Sequence, residues 1–247
     1  MLLPGTPSDE VADVLAAGRG DITTMFISMA TRHPDGTDAD YLRWHTLDHR
    51  PEQHRLAALR ASLRLVSTPE CRAARAVSTD RFDPVDHVMS YFFTDTEGLA
   101  AFNRLSAALG GAGRKLALLP PVERGVYAVH WKAAAPRAKI GADVLPWWPA
   151  RGVYVLLEAD APAPTDLLDV AGVAGVWSAT SVPVDASLAS APAGQTVSYC
   201  FLDEDPVLTA RRLRPVLEKR WSDGVIQPLF GAPFHTVVPH EWDRHVP

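Results

Sequence analysis

The sequence predicts an α+β chain built from two βαββαβ halves, and three observations carry that expectation. Runs of β-branched and aromatic residues alternate with helical periodicities in the order strand, helix, strand, strand, helix, strand. A strand–acid–helix junction occurs twice, as Tyr91-Phe92-Phe93-Thr94-Asp95 and as Tyr199-Cys200-Phe201-Leu202-Asp203. Between the two occurrences lies a stretch rich in Ala and Pro that carries Trp147 and Trp148, as expected of a linker that packs.

In the first half, residues 21–30 are rich in β-branched and aromatic side chains and are closed by His33-Pro34-Asp35-Gly36, a turn signal. Thr37 or Asp38 can then cap a helix carrying Tyr41, Trp44, Leu47 and Leu56 to about residue 59. Pro51 lies within it and should kink or break it near Arg50, because proline removes a hydrogen bond and clashes with the preceding turn. Residues 61–68 and 72–79 flank Pro69 and Glu70, and form either one broken strand or the arms of a hairpin. Residues 87–94 are a strand. Asp95 caps a helix over 97–109 with Leu99, Phe102, Leu105 and Leu109 at helical spacing, and Gly110-Gly111 ends it. Residues 125–132 form the next strand. Ahead of all this, residues 1–20 read as a lead-in with one short helix over 11–16.

The second half repeats the order with one reduction. Strands are expected over 152–158, 175–182, 195–202 and 233–239, but residues 165–170 suffice only for a stub of the first helix. The second helix starts at Asp203–Asp205 with Pro206 in its first turn, runs to Trp221, and bends at Pro215. The order is that of a ferredoxin-like, split-βαβ unit, which sets the halves at 21–132 and 152–240 with 133–151 as linker. A four-stranded sheet with helices on one face leaves its other face to be buried, and a second sheet in the same chain can bury it.

Composition narrows the class of function. The chain of 247 residues has a net charge of −5 and an apolar fraction of 47%, which gives no basic footprint for nucleic acid. Cys71 and Cys200 are too few for a disulfide framework and suggest free thiols. The N-terminus lacks a basic, then apolar, leader, and no long apolar run suits a membrane span. A cytoplasmic, soluble protein is the expectation, with a small-molecule ligand, no nucleic acid and no membrane as partners, and a homodimer left open.

The first helix is the segment densest in reactive groups. His45 and His49 are four residues apart and share a helical face, with Tyr41 one turn earlier. A neutral imidazole can take a proton from an acidic carbon or phenol near pH 7, and a Tyr or second His can donate to the oxygen that gains charge. Asp48 can orient an imidazole only by turning sideways. On the strands, His87, Tyr91, Tyr127 and His130 can line a pocket, Tyr91 sharing the face of His87 if no bulge intervenes. Metal binding is not expected, since no Glu lies inside the His45–His49 spacing and His54 falls about 90° away around a helix. Gly110-Gly111-Ala112-Gly113 follows a helix, so it caps that helix and does not cradle phosphate. His235, His240 and His245 with Trp242 read as a docked C-terminal segment.

With Tyr41, Arg43-Trp44 and His49-Arg50-Pro51 in place, the helix resembles that of the EthD-like branch of the dimeric α/β-barrel superfamily. His45 stands where that branch usually has Trp. The resemblance implies two fused ferredoxin-like halves forming a pseudo-dimeric α/β barrel, with a pocket between sheet and helices of the intact half. Related barrels include polyketide cyclases, cofactor-free monooxygenases, decarboxylases and haem-degrading enzymes. The expectation is a cofactor-independent cyclase, monooxygenase or lyase acting on an aromatic or polyketide-like molecule. His49 is the expected proton-transfer residue, His45 and Tyr41 orient or donate, and Trp44, His87, Tyr91 and His130 contact substrate. No metal or cofactor is expected. Haem ligation by His49, His87 or His130 has little to support it. The alternative is a non-catalytic binding or assembly module in which the histidines are structural.

Overall fold

Alternation along the first strand, β1 (Thr24–Ala30), sets the architecture of the computed structural model, which describes residues 17, 20–185 and 188–247. Met25, Ile27 and Met29 point into one large apolar core, while Phe26, Ser28 and Ala30 face the opposite way. The same two-residue period recurs in β2 (Leu59–Val66), β4 (His87–Phe93), β5 (Pro121–Ala134), β6 (Gly152–Ala159), β7 (Val173–Ser181), β8 (Gln195–Leu202) and β9 (Gln227–Thr236). These strands pair antiparallel in the order β2-β4-β1-β5-β7-β8-β6-β9, and β9 returns to β2. The result is an α+β protein around a closed eight-stranded antiparallel barrel, whose interior is filled by Trp177, Phe92, Tyr199, Phe201 and Phe234. Closure leaves no long unpaired edge, the usual liability of a sheet.

The strands of the first half stand in the order β2-β4-β1-β5 and those of the second in the order β7-β8-β6-β9. In each set the second strand comes first, then the third, the first and the fourth. The two seams between the sets are unequal. Strand β5 pairs β7 from Tyr127–Ser181 to Ala134–Gly175, whereas β9 meets β2 only at Leu65–Thr236 and Val66–His235.

Helices cover the outside. After β1 come α1 (Asp38–Trp44), a π-helical turn (His45–His49) and α2 (Arg50–Gln53). Proline 51 explains the widening: it cannot donate into the preceding turn, and the Arg50 N–H instead reaches back five residues to the His45 carbonyl. The helical segment therefore ends at Gln53 and not near residue 59. The helices α4 (Gly98–Gly111) and α5 (Pro206–Trp221) match their expected spans to within a few residues. Asp95 accepts from the Gly98 N–H, and α4 ends through Gly113, at φ +71°, with the Arg114 N–H returning to the Leu109 carbonyl. The stub over 165–170 is a single 3₁₀ turn, Thr165–Asp169.

Residues 61–79 depart from both sequence alternatives. Thr68 caps a short helix α3 (Pro69–Ala73) by accepting from the Cys71 N–H, so Pro69 starts a helix and does not interrupt a strand. The two-residue β3 (Val77–Ser78) then pairs with β9, not with β2. Strands β5 and β9 begin earlier than expected, at Pro121 and Gln227. The helix expected over 11–16 lies outside the described residues. Both cysteines are free and buried, and no helix among the described residues is long and apolar enough to cross a membrane.

One buried polar relay fixes α1 to the barrel. Asp38, at the start of α1, accepts from the His33 N–H and from Nε2–H of His87, each at 2.8 Å. The other ring nitrogen of His87, Nδ1, accepts from the Arg64 guanidinium at 3.0 Å. All three side chains are buried. A protonated His87 would turn a second N–H against that guanidinium, so the ring is neutral. Burial lowers its pKa to about 4 in spite of Asp38. Burial works to raise the Asp38 carboxyl, but the bonds from His87 and His33 outweigh it and hold the carboxyl low.

Replacing His87 by Leu leaves a buried carboxylate and a buried guanidinium without their shared partner, and should cost about 3–5 kcal/mol in urea unfolding. The pH dependence follows from the His87 shift. An unfolded histidine binds a proton below about 6.5, and the folded one not until about 4, so stability is full above 6.5 and declines as pH falls between those values. Equal unfolding free energies at pH 7.5 and pH 5 would contradict a neutral His87.

Candidate functional site

The outward residues of the first-half sheet do not meet a packed helix everywhere. Between them and the helical segment 38–53 lies a cavity of about 400 Å³. Phe26, Ser28 and Ala30 of β1, Arg64 of β2, and Met89 and Tyr91 of β4 form its sheet side. Tyr41, His45, His49 and Gln53 close it from the helical segment, and Phe102, Asn103 and Ser106 from α4. Lys115 and Leu118 in the loop after α4, and Arg124 of β5, complete the wall. On the corresponding face of the second half, Leu167, Val170, Cys200, Leu213 and Leu217 pack as one apolar cluster.

Four side chains form one hydrogen-bonded row. The Tyr91 hydroxyl donates to Gln53 Oε1 at 2.5 Å, which leaves its oxygen to accept from His45 Nε2 at 3.3 Å. With the Gln53 amide in this orientation, its Nε2 donates to His49 Nε2 at 2.9 Å. The tautomers follow. His45 carries its proton on Nε2 and keeps a bare lone pair on Nδ1, whereas His49 carries its proton on Nδ1. Both Nδ1 atoms are buried and lack a protein partner. Burial, helped by the Arg64 charge, lowers the pKa of His45 well below the usual histidine value, and burial with Lys115 lowers that of His49 to about 4. Both rings are neutral at pH 7. Burial also raises the Tyr91 pKa, so the phenol stays protonated.

The helical turn brings these groups together. His45 and His49 ring centroids are 5.7 Å apart, and Gln53 follows four residues later. Tyr41 stacks on His45 at 5.8 Å, and the Arg64 guanidinium lies 5.0 Å from the Tyr41 ring centre. The Nε of Arg64 is buried without a partner.

Of the residues expected from sequence, Tyr41, His45, His49 and Tyr91 stand in the cavity wall. Strand β4 has no bulge, so Tyr91 does share the face of His87. His87 itself lies one layer behind, with both ring nitrogens engaged by Arg64 and Asp38, and it reaches no ligand in the cavity. Trp44 also stands behind the wall, stacked on His49 at 4.6 Å with its indole N–H donating to the Arg114 carbonyl. His130 is exposed at a register shift of β5 between Val129 and Trp131, away from the cavity. Tyr127 points into the barrel, bonded to Glu123 and Gln195. Asp48 is turned to Arg114 at 3.1 Å and orients no imidazole. His54 bonds Ser62 instead of joining the histidine pair.

Sequence reasoning missed Gln53, Arg64 and Lys115. A signal existed for the first two: Gln53 continues the four-residue spacing from His49, and Arg64 is a lone charge between Leu63 and Leu65 in an alternating strand. Lys115 sits in a loop without such a period. Among the described residues, no group of three or more His, Cys, Asp or Glu side chains could hold a metal ion.

No protein-family model matches the chain, and no curated protein matches its sequence. Solved structures do resemble it. An anthrone oxidase-like protein shares 13% identity, with 90% of this chain and 94% of that one covered, at a TM-score of 0.48. A variant of chlorite dismutase from Candidatus Nitrospira defluvii shares 10%, covering 97% of this chain and 100% of that one, at a TM-score of 0.49. A dye-decolorizing peroxidase from Bacteroides thetaiotaomicron VPI-5482 shares 9%, covering 94% of this chain and 98% of that one, at a TM-score of 0.51. The likeness to the peroxidase shows a shared fold alone, an α/β barrel that spans nearly the whole of both chains.

Proposed function

We propose that the chain is a small-molecule enzyme of the cofactor-independent cyclase, monooxygenase or lyase kind, in which buried imidazoles move a proton on an aromatic or polyketide-like substrate. One observation carries this reading: two neutral histidines line a cavity with their Nδ1 atoms unpartnered, one presenting a lone pair and the other an N–H. Buried polar atoms are rarely left unsatisfied without a reason, and a substrate that exchanges a proton is one.

In this reading, Nδ1 of His45 takes a proton from an acidic carbon or phenol of the substrate. The negative charge that develops on substrate oxygen faces Arg64, whose Nε–H is free to donate, and the Nδ1–H of His49. Tyr91 and Gln53 hold both tautomers in place. Tyr41 orients His45 by stacking, and Trp44 backs His49. The hydrogen bonds thus favour His45 as the base and His49 as the donor, the reverse of the division expected from the family motif.

We further infer two ferredoxin-like halves, 21–132 and 152–240, joined by 133–151 in a pseudo-dimeric barrel of EthD-like type. The shared strand order of the two sets and the motif His49-Arg50-Pro51 at the π-helical turn support it.

Turnover of a panel of aromatic and polyketide-type substrates with ionisable C–H or phenol groups tests the chemistry. His45→Ala and His49→Ala should each lower kcat/KM by about 10²–10⁴-fold. Turnover unchanged in both variants would remove the imidazoles from the mechanism. The pH profile gives a second check. The acid limb of kcat/KM reports protonation of the base, His45, and should lie well below the usual histidine value of 6.5. Lys115→Ala removes a charge that lowers the His49 pKa and leaves the charges around His45 in place, so that limb should stay where it is, and a limb that moves to higher pH would show that His49 protonation sets it.

A further inference from the structure

The charges around the cavity are of one sign. Arg64, Lys115 and Arg124 line it, and no Asp or Glu is among its described lining residues. The chain as a whole carries a net charge of −5, so this is local and does not reflect composition. A second cavity of about 630 Å³ beside the linker makes the contrast: Arg50, Arg151 and Arg244 there are accompanied by Asp205 and Glu241.

Arg64 is the most telling of the three cations. It is 3% exposed, and taking a guanidinium out of water is costly unless it is paired. Its hydrogen-bonded protein partners are neutral, the imidazole of His87 and the side chain of Tyr41, with the Asp38 carboxylate one residue further along the relay. Its Nε–H has no acceptor. Lys115 and Arg124 are partly exposed, where their charge can attract a ligand without being buried. Phe26, Tyr91 and Phe102 add aromatic surface beside these charges. A neutral ligand would leave the buried Arg64 charge and its Nε–H uncompensated, whereas an oxyanion satisfies both.

We propose that the cavity selects an aromatic anion, its charged oxygen held by Arg64 and its ring against Phe26, Tyr91 and Phe102, with Lys115 and Arg124 drawing it in. This deepens the functional reading given above and rests on it only in taking the cavity as the substrate site. It restricts the substrate class to aromatic or polyketide-like acids, and leaves a neutral aromatic as a poor ligand.

Fluorescence titration with two probes of one ring system tests it: 8-anilino-1-naphthalenesulfonate, which is anionic, and N-phenyl-1-naphthylamine, which lacks the sulfonate. The wild-type protein should bind the anion at least about 10-fold more tightly than the neutral probe, the size of one charge-assisted hydrogen bond. Arg64→Met should abolish that preference with little change for the neutral probe. Because Arg64 also belongs to the buried relay, the double variant Lys115→Ala/Arg124→Ala is measured beside it. It should weaken the anion several-fold and leave the neutral probe unchanged. Circular dichroism establishes that each variant is folded. Equal affinity for both probes, binding of neither, or an anion preference that survives in the folded variants overturns the proposal. His45→Ala should retain the anion preference, because binding is read here without turnover. Lost preference with intact histidine-dependent turnover therefore sinks the anion proposal alone. A preserved preference with turnover indifferent to both histidines sinks the proton-transfer reading alone.

Discussion

The contact on which the rest of the molecule depends is the buried relay from Asp38 through His87 to Arg64. It joins the start of the first helix to two adjacent barrel strands, in a region where each member alone would be expensive to bury. Placing a neutral imidazole between a carboxylate and a guanidinium has a chemical effect that a direct ion pair would lack. Carboxylate and guanidinium balance each other at a distance, and the guanidinium Nε keeps its N–H without a partner. The relay that secures the first helix thus also positions one residue of the cavity wall, Arg64. This is why His87, expected to touch a ligand, acts from behind the wall.

The second constraint is Pro51. By denying the preceding turn a donor, it widens that turn into π-helical geometry, and His45, His49 and Gln53 are held on one side of it. The widened turn is thus both a packing solution to proline and the support of the hydrogen-bonded row. Tyr91 reaches that row from a strand whose unbroken alternation keeps it facing outward.

Much of this was legible in the sequence, because two-residue and four-residue periods are local properties. Alternation in residues 21–30 and 87–94 located β1 to within three residues and β4 to within one, and the His45–His49 spacing placed both rings in one wall. What escaped depends on partners distant in sequence. Residues 72–79 have the composition of a strand, yet Thr68 and Pro69 start a helix there, and the two residues that do pair find β9. His130 obeys strand alternation and faces outward like Arg124 and Val126, but it lies beyond the cavity wall, beside a register shift against β7. Arg64 and Gln53 are unremarkable as letters, and matter because His87, Tyr91 and His49 come to meet them.

The short seam of the barrel has its own consequence. Strand β9 reaches β2 at Leu65 and Val66 only, across a long separation in sequence, and closing so large a loop for so few ladder bonds is entropically unfavourable. The segment after β9 compensates. Trp242 and Val246 pack with Leu42, Val66 and Val237, and His245 stacks on His235 at 3.8 Å. Leu42 belongs to the helix that carries Tyr41, so the segment that fastens the ring also braces the helix over the cavity. The brace on the helix over the pocket is therefore supplied by a stretch some two hundred residues downstream of it, so the shape of that wall depends on a contact that is as non-local as any in the chain.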